Sequence, residues 1–294
     1  MSDKFDTKDE ILQISRKFEA ISTADHSINS NNQPSPSMST SSPVSQDTQR
    51  RITAETMSTT IQYAPNLPER VIFAVDTVRE DDCTQFEIGS GAKFSPLTMI
   101  KRVIEVFICA KASFNRKHEF ALMKLTERSA EWICDFTDNK KNLFNHLERI
   151  EDIQVSSETT ADYDLTPCFE IVERNLPRTH LTRVVLIYTR SHCLPMFSDF
   201  QQYEMLMSLS KFFTDVLYVH ERPTDDNECE DVYLKLGELD IRHDSYIYEV
   251  ARNAATLHNT MAKLLAHPLQ RPKQDDTSYT SAWRENSPEL QTNV

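Results

Sequence analysis

The chain has 294 residues, 39% of them hydrophobic, and a net charge of −13. That length allows one or two domains with a real core, although the hydrophobic share is low for a chain folded throughout. The acidity argues against a phosphate-backbone binder, which needs a basic face. Glycine occurs only at Gly89, Gly91 and Gly237, too few and too dispersed for a dinucleotide or P-loop phosphate cradle.

The N-terminus, MSDKFDTKDE, is polar and acidic, unlike a signal peptide, and no apolar run has the length of a membrane span. The chain is therefore expected in the cytoplasm and nucleus. Residues 9–20 have helical spacing, with Ile11, Ile14, Phe18 and Ile21 on one face. That pattern suits a partner-docking helix or a transient, solvated one. Residues 22–60 are rich in Ser, Thr, Asn, Gln and Pro and cannot offset their ordering entropy by burial. The region 1–66 is expected to be largely disordered.

The folded part begins near Leu67. Residues 70–76, RVIFAVD, form a continuous apolar run ending in an acid, as suits a strand buried on both faces of a parallel sheet. Ser95-Pro96 supplies an N-cap and a first-turn proline for a helix to about Ala112. Residues 119–125 and 130–136 read as strands, and the four residues between them suit an antiparallel hairpin. A helix follows over 138–150. Thr166-Pro167 repeats the cap-plus-proline device before a helix to about Asn175. Residues 183–189 and 213–219 are two further buried strands, separated by a helix at 200–210. A helix around 231–239, a short strand at 246–250 and a helix at 251–266 complete the pattern. This order predicts an α/β fold with a doubly wound, mostly parallel sheet, one antiparallel edge strand and helices on both faces. One domain spans 67–266, and residues 267–294 form an extended tail.

The six cysteines form no CxxC pair and gain no His-x3-5-His partner, so zinc ligation is not indicated; they read as reduced core residues. No HExxH or G-x-S-x-G is present. Cys193 beside His192 suggests a thiol nucleophile only weakly, because adjacent residues in an extended loop point apart. His118 reads as a surface residue, and His220 ends a strand on the crevice side.

In an open α/β sheet the binding crevice lies at the carboxyl ends of the central strands. Asp76 ends the first strand and faces that crevice. Here the chain resembles a von Willebrand A domain. The resemblance implies a divalent cation held by an Asp-x-Ser-x-Ser loop, a threonine from a second loop and an acid from a third. The residues present depart from that set. Val78 stands at the first serine position and Glu80 at the second, Thr166 is the available threonine, and Arg190 begins the third loop where an acid is needed. Hard-cation cages need converging oxygens, so the expectation is no metal and no cofactor. Asp76 is expected to cap backbone amides or to pair with Arg190 or Arg79. The competing reading is a metal-dependent ligand-binding domain using Asp76, Glu80 and Thr166.

The tail opens with Pro268-Leu-Gln-Arg-Pro272. Prolines flanking an apolar residue and an arginine favour polyproline II, which would present Leu269 and Arg271 to a groove. The alternative is a proline-terminated helix and a linker. The segment from Leu257 to Pro272, LHNTMAKLLAHPLQRP, resembles the C-terminal signature of the vWA-like scaffold subunit shared by the BRISC deubiquitinase and the nuclear BRCA-A complex. Supporting stretches are HEFAL from His118, VLIYTR from Val185 and SYIYEV from Ser245. The resemblance covers about residues 70–274. It implies a non-catalytic scaffold that binds BRE, a subunit with ubiquitin-conjugating-enzyme-variant domains. Docking would use a Pro-x-x-Arg element, here Pro268, Leu269, Arg271 and Pro272. It also implies a JAMM-type protease for 63-linked polyubiquitin and its Abraxas-family partner in the same complex, with roles in DNA-damage signalling and mitosis. No nucleic acid or membrane is implied as a direct partner.

Overall fold

A computed structural model describes residues 67–81, 83–155, 162–177 and 180–277. The expected helix at 9–20, the polar stretch 22–60 and the tail beyond 277 lie outside these residues.

Six strands form the main sheet: β1 Glu69–Asp76, β2 Glu119–Leu125, β3 Ala130–Thr137, β4 Leu181–Tyr188, β5 Phe212–Val219 and β6 Ile247–Val250. Their order is β6-β5-β4-β1-β2-β3. All neighbours are parallel except β2 and β3, which form the antiparallel hairpin at one edge. Thr126 N–H donates to Ser129 O at 2.8 Å and closes its turn. Among the described residues five α-helices lie between these strands, α1 Pro96–Phe114, α2 Lys140–Glu148, α3 Thr166–Asn175, α4 Phe200–Met207 and α5 Cys229–Gly237, and α6 Ala254–Lys263 follows β6.

Strand alternation divides the apolar residues between two layers. Val71, Phe73 and Val75 of β1 face α1, α2 and α6, and Phe73 meets Phe107 edge-on at 5.4 Å. Ile72 and Ala74 face the opposite layer, built on Phe169 of α3, Tyr203 of α4 and Val232 of α5. Near-continuous apolar strands are what burial on both faces requires.

Side chains cap the starts of α1, α2, α4 and α6. Ser95 accepts from Thr98 N–H at 3.2 Å, and Pro96 opens α1. Thr166 differs from its expected role: it is the first helical residue of α3, and Asp164 Oδ1 accepts its N–H at 2.9 Å. The last helix starts at Ala254 rather than residue 251, because Asn253 accepts from Thr256 N–H at 2.9 Å and sets the start there. Gly91, at φ 80, occupies the left-handed region in the turn between Phe86–Glu87 and Lys93–Phe94, a conformation glycine adopts without a Cβ clash. All six cysteines are free; four are buried, whereas Cys83 is half-buried and Cys109 is exposed, so the core expectation fails at those two.

Candidate functional site

The sheet order reverses between β1 and β4, so the crevice opens where Asp76 and the 189–193 loop meet. Two short parallel pairs knit the loops there: Val78–Arg79 with Ile153–Gln154, and Tyr163–Asp164 with Pro195–Met196. Asp76 is buried. Its carboxylate accepts from Val78 N–H at 3.2 Å and Thr189 N–H at 3.2 Å. Arg190 lies against both oxygens, with Nε at 3.1 Å from Oδ2 and Nη2 at 3.2 Å from Oδ1. The remaining guanidinium donors reach Thr126 O at 2.6 Å and Glu127 O at 3.1 Å, and the group sits 3.9 Å from the Tyr163 ring centroid. Burial works against the charged arginine, but Asp76 outweighs it and holds Arg190 above its usual range.

Glu80 turns its carboxylate to the backbone, accepting from Ser191 N–H at 2.8 Å and His192 N–H at 3.0 Å. Burial pushes Glu80 up, and those two amides oppose the shift. Thr166 points its hydroxyl oxygen elsewhere, accepting from Ser198 N–H and Asp199 N–H at 3.1 Å each. The cavity beside Asp76 holds about 10 Å3, room for about one water, and Thr166 does not line it.

These residues do not fit a divalent cation. The structure brings Asp76, Val78, Glu80 and Arg190 together and leaves Thr166 out. Val78 offers only backbone, Glu80 is committed to amides, and a guanidinium already neutralises Asp76. His220 stacks on Tyr218 at 4.8 Å and meets Glu221 O at 2.6 Å, while burial pushes the Cys193 thiol up, away from the thiolate a nucleophile needs.

A second polar assembly lies at the opposite end of the strands, and sequence reading missed it. Glu69, Arg183 and Asp215 are fully buried. Glu69 pairs with Lys111 and with Arg183 Nη2 at 2.9 Å; Arg183 Nη1 is 3.2 Å from Asp215. Arg271 completes the chain. Its Nη1 donates to Asp215 Oδ2 at 2.7 Å, its Nη2 to Asp244 O at 2.8 Å, and its side chain is 1% exposed. The tail is therefore no polyproline segment through 271. Gln270 and Arg271 N–H both donate to His267 O, at 2.9 and 3.0 Å, and form a turn. Tyr246 O–H then holds Pro272 O at 2.8 Å, and the Gln274 amide bonds both Ile247 N–H and Ile247 O. Pro268 is buried, Leu269 half-buried and Pro272 exposed. The available signal was Arg183 and Asp215 themselves. A charge within a strand buried on both faces demands a partner, and two such charges of opposite sign sat in two such strands.

His118 is buried rather than superficial, and its Nδ1 accepts Glu69 N–H at 2.8 Å. That bond requires an unprotonated Nδ1. Burial, then the charge of Lys111, lowers its pKa to about 4. Because the unfolded chain takes up this proton near the ordinary histidine value of about 6.5, stability falls as pH drops from there toward 4. Urea unfolding between those limits should show this slope, and His118→Asn, which keeps an acceptor at the Nδ1 position, should reduce it, with His220, His258 and His267, also lowered by burial, supplying the rest. An unchanged slope would contradict the assignment.

A doubly wound sheet of this order, antiparallel only at β3 and with an acid closing β1, defines an open α/β domain with its crevice at the carboxyl ends of the strands, here with an arginine beside that acid. No family model matches the chain. It is 32% identical over 231 residues to BRISC and BRCA1-A complex member 1 of Homo sapiens, covering 73% of this chain and 68% of that protein. The protein of the same name from Xenopus laevis is 30% identical over 244 residues, covering 78% and 73%. The chain belongs to the BRISC and BRCA1-A complex member 1 family. Among solved structures, the SpRpn10 VWA domain aligns with a TM-score of 0.42 at 10% identity, over 67% of this chain and 95% of that one. The von Willebrand factor type A structure from Catenulispora acidiphila gives 0.39 at 11% identity, over 69% and 43%.

Proposed function

We propose that this chain is a non-catalytic scaffold subunit that maintains the integrity of a JAMM-type deubiquitinase complex by binding its BRE subunit. The observation that carries this reading is the kinship over 231 residues with relatives named for their membership of the BRISC and BRCA1-A complexes. The complex would cleave 63-linked polyubiquitin, include an Abraxas-family partner and act in the cytoplasm and nucleus, in DNA-damage signalling and mitosis. The crevice geometry supports a role for surfaces rather than for a bound ion, since Arg190 satisfies Asp76 internally.

Docking on BRE is assigned to the turn containing Pro268, Leu269, Arg271 and Pro272. In the free chain Arg271 is engaged with Asp215, so it holds the turn in place. Of these four, half-buried Leu269 and exposed Pro272 are the side chains a partner can reach. Calorimetric titration of the full chain with purified BRE tests this. Leu269→Asp with Pro272→Ala should weaken binding at least about tenfold, as loss of an apolar anchor does, without changing the melting temperature. Unchanged affinity would remove the docking turn. Affinity purification of the intact chain that recovers neither BRE nor a JAMM-type protease would remove the scaffold reading itself.

A further inference from the structure

The far edge of the sheet carries a groove of about 510 Å3 between α5, β6 and the 274–275 segment. That size lies within the range of roughly 300–1,000 Å3 typical of ligand pockets. Its ionisable lining is almost wholly acidic: Glu230, Glu238, Asp240, Glu249 and Asp275, with His243 as the single basic-type side chain and no Lys or Arg among the described residues that line it. Tyr233, Leu234 and Ile247 supply the apolar part. Leu234 is 68% exposed, unusual for a large aliphatic side chain on a helix that buries Val232 and Leu236.

Two details define what the groove can hold. The outward N–H and C=O of Ile247 already bond the Gln274 amide, so an occupant does not enter as an added strand at that point. At the rim Glu238 meets Lys235 at 2.9 Å at the surface, where such pairs contribute little, whereas Asp240 accepts from Asp244 N–H at 3.0 Å and Ser245 N–H at 2.9 Å. An apolar floor ringed by acids complements a segment with an apolar side chain flanked by cations.

We infer that this groove docks a basic peptide segment of another protein, one that sets Lys or Arg on both sides of a large apolar residue. The groove is separate from the 268–272 turn and does not depend on its role. The test is fluorescence anisotropy of the full chain with a fluorescein-labelled peptide, Lys-Arg-Leu-Lys-Lys-Leu-Arg-Lys. Saturable binding that weakens with salt is expected. Glu230→Lys, Glu238→Lys and Asp275→Lys combined should weaken it at least about tenfold, and Leu234→Ser should lower it several-fold. Replacing both leucines of the peptide by serine should act like Leu234→Ser. Combined reversal of the exposed acids Glu87, Glu127 and Glu151 should leave affinity within about twofold, because these lie outside the groove. Absence of saturable binding overturns the inference. So does equal weakening by the remote reversals, which would mark attraction to the net charge of −13 alone.

Discussion

Asp215→Ala should lower the stability of the domain by about 3–5 kcal/mol, the loss typical when one partner of a buried ion pair is removed. The carboxylate is fully buried on β5 and collects four donors. Oδ1 takes Tyr246 N–H at 2.8 Å and Arg271 Nη2, while Oδ2 takes Arg271 Nη1 at 2.7 Å and Arg183 Nη1 at 3.2 Å. Burial disfavours its charge, yet Arg271 and then Arg183 hold Asp215 below the usual carboxylate range. Truncation strands two guanidinium groups that have little access to water. For a domain of this size the melting temperature should fall by roughly 10 °C. Pairing Asp215→Ala with Arg271→Met should cost less than the sum of the single variants, because the second change removes a charge the first has orphaned. A single-variant loss below about 1 kcal/mol would show that the network is not closed as described.

Arg190→Ala is the counterpart at the other end of the strands, with an expected loss of about 3–5 kcal/mol by the same reasoning. Asp76 would keep only the Val78 and Thr189 amides, and Thr126 O and Glu127 O would lose their donors. Arg190→Lys should recover only part of this. An ammonium carries the charge but cannot span Asp76 and two carbonyls with a planar fork, nor lie flat over Tyr163. Urea unfolding of the three proteins decides the matter. Lysine and alanine variants of equal stability would mean that the fork geometry contributes nothing.

Much of the architecture could be read from the chain because its signals are local. The runs at 70–76, 183–189 and 213–219 are apolar on both faces, which only a covered parallel sheet requires, and four residues between 125 and 130 allow little except a hairpin. Asp76 and Arg190 were legible as occupants of the crevice because strand ends fix where loops begin. Thr166 was not, since a hydroxyl two residues past Asp164 can serve either a helix start or a neighbouring loop, and Ser198 decided it. Of the polar network only the two strand charges, Arg183 and Asp215, were legible. Glu69, Lys111, Arg183, Asp215 and Arg271 are separated by up to two hundred residues, and no local rule pairs them. Proline spacing at 268–272 pointed to an extended tail, but a buried acid recruits a distant arginine more strongly than a backbone preference can resist.

The Gln274 side chain carries one more implication. A primary amide has the same donor and acceptor as a peptide unit, so its pair of bonds to Ile247 imitates a single rung of a ladder on the open margin of the sheet. Proteins commonly blunt such margins against self-association. A chain shortened before Gln274 would uncover that rung and leave the margin open to edge-to-edge pairing.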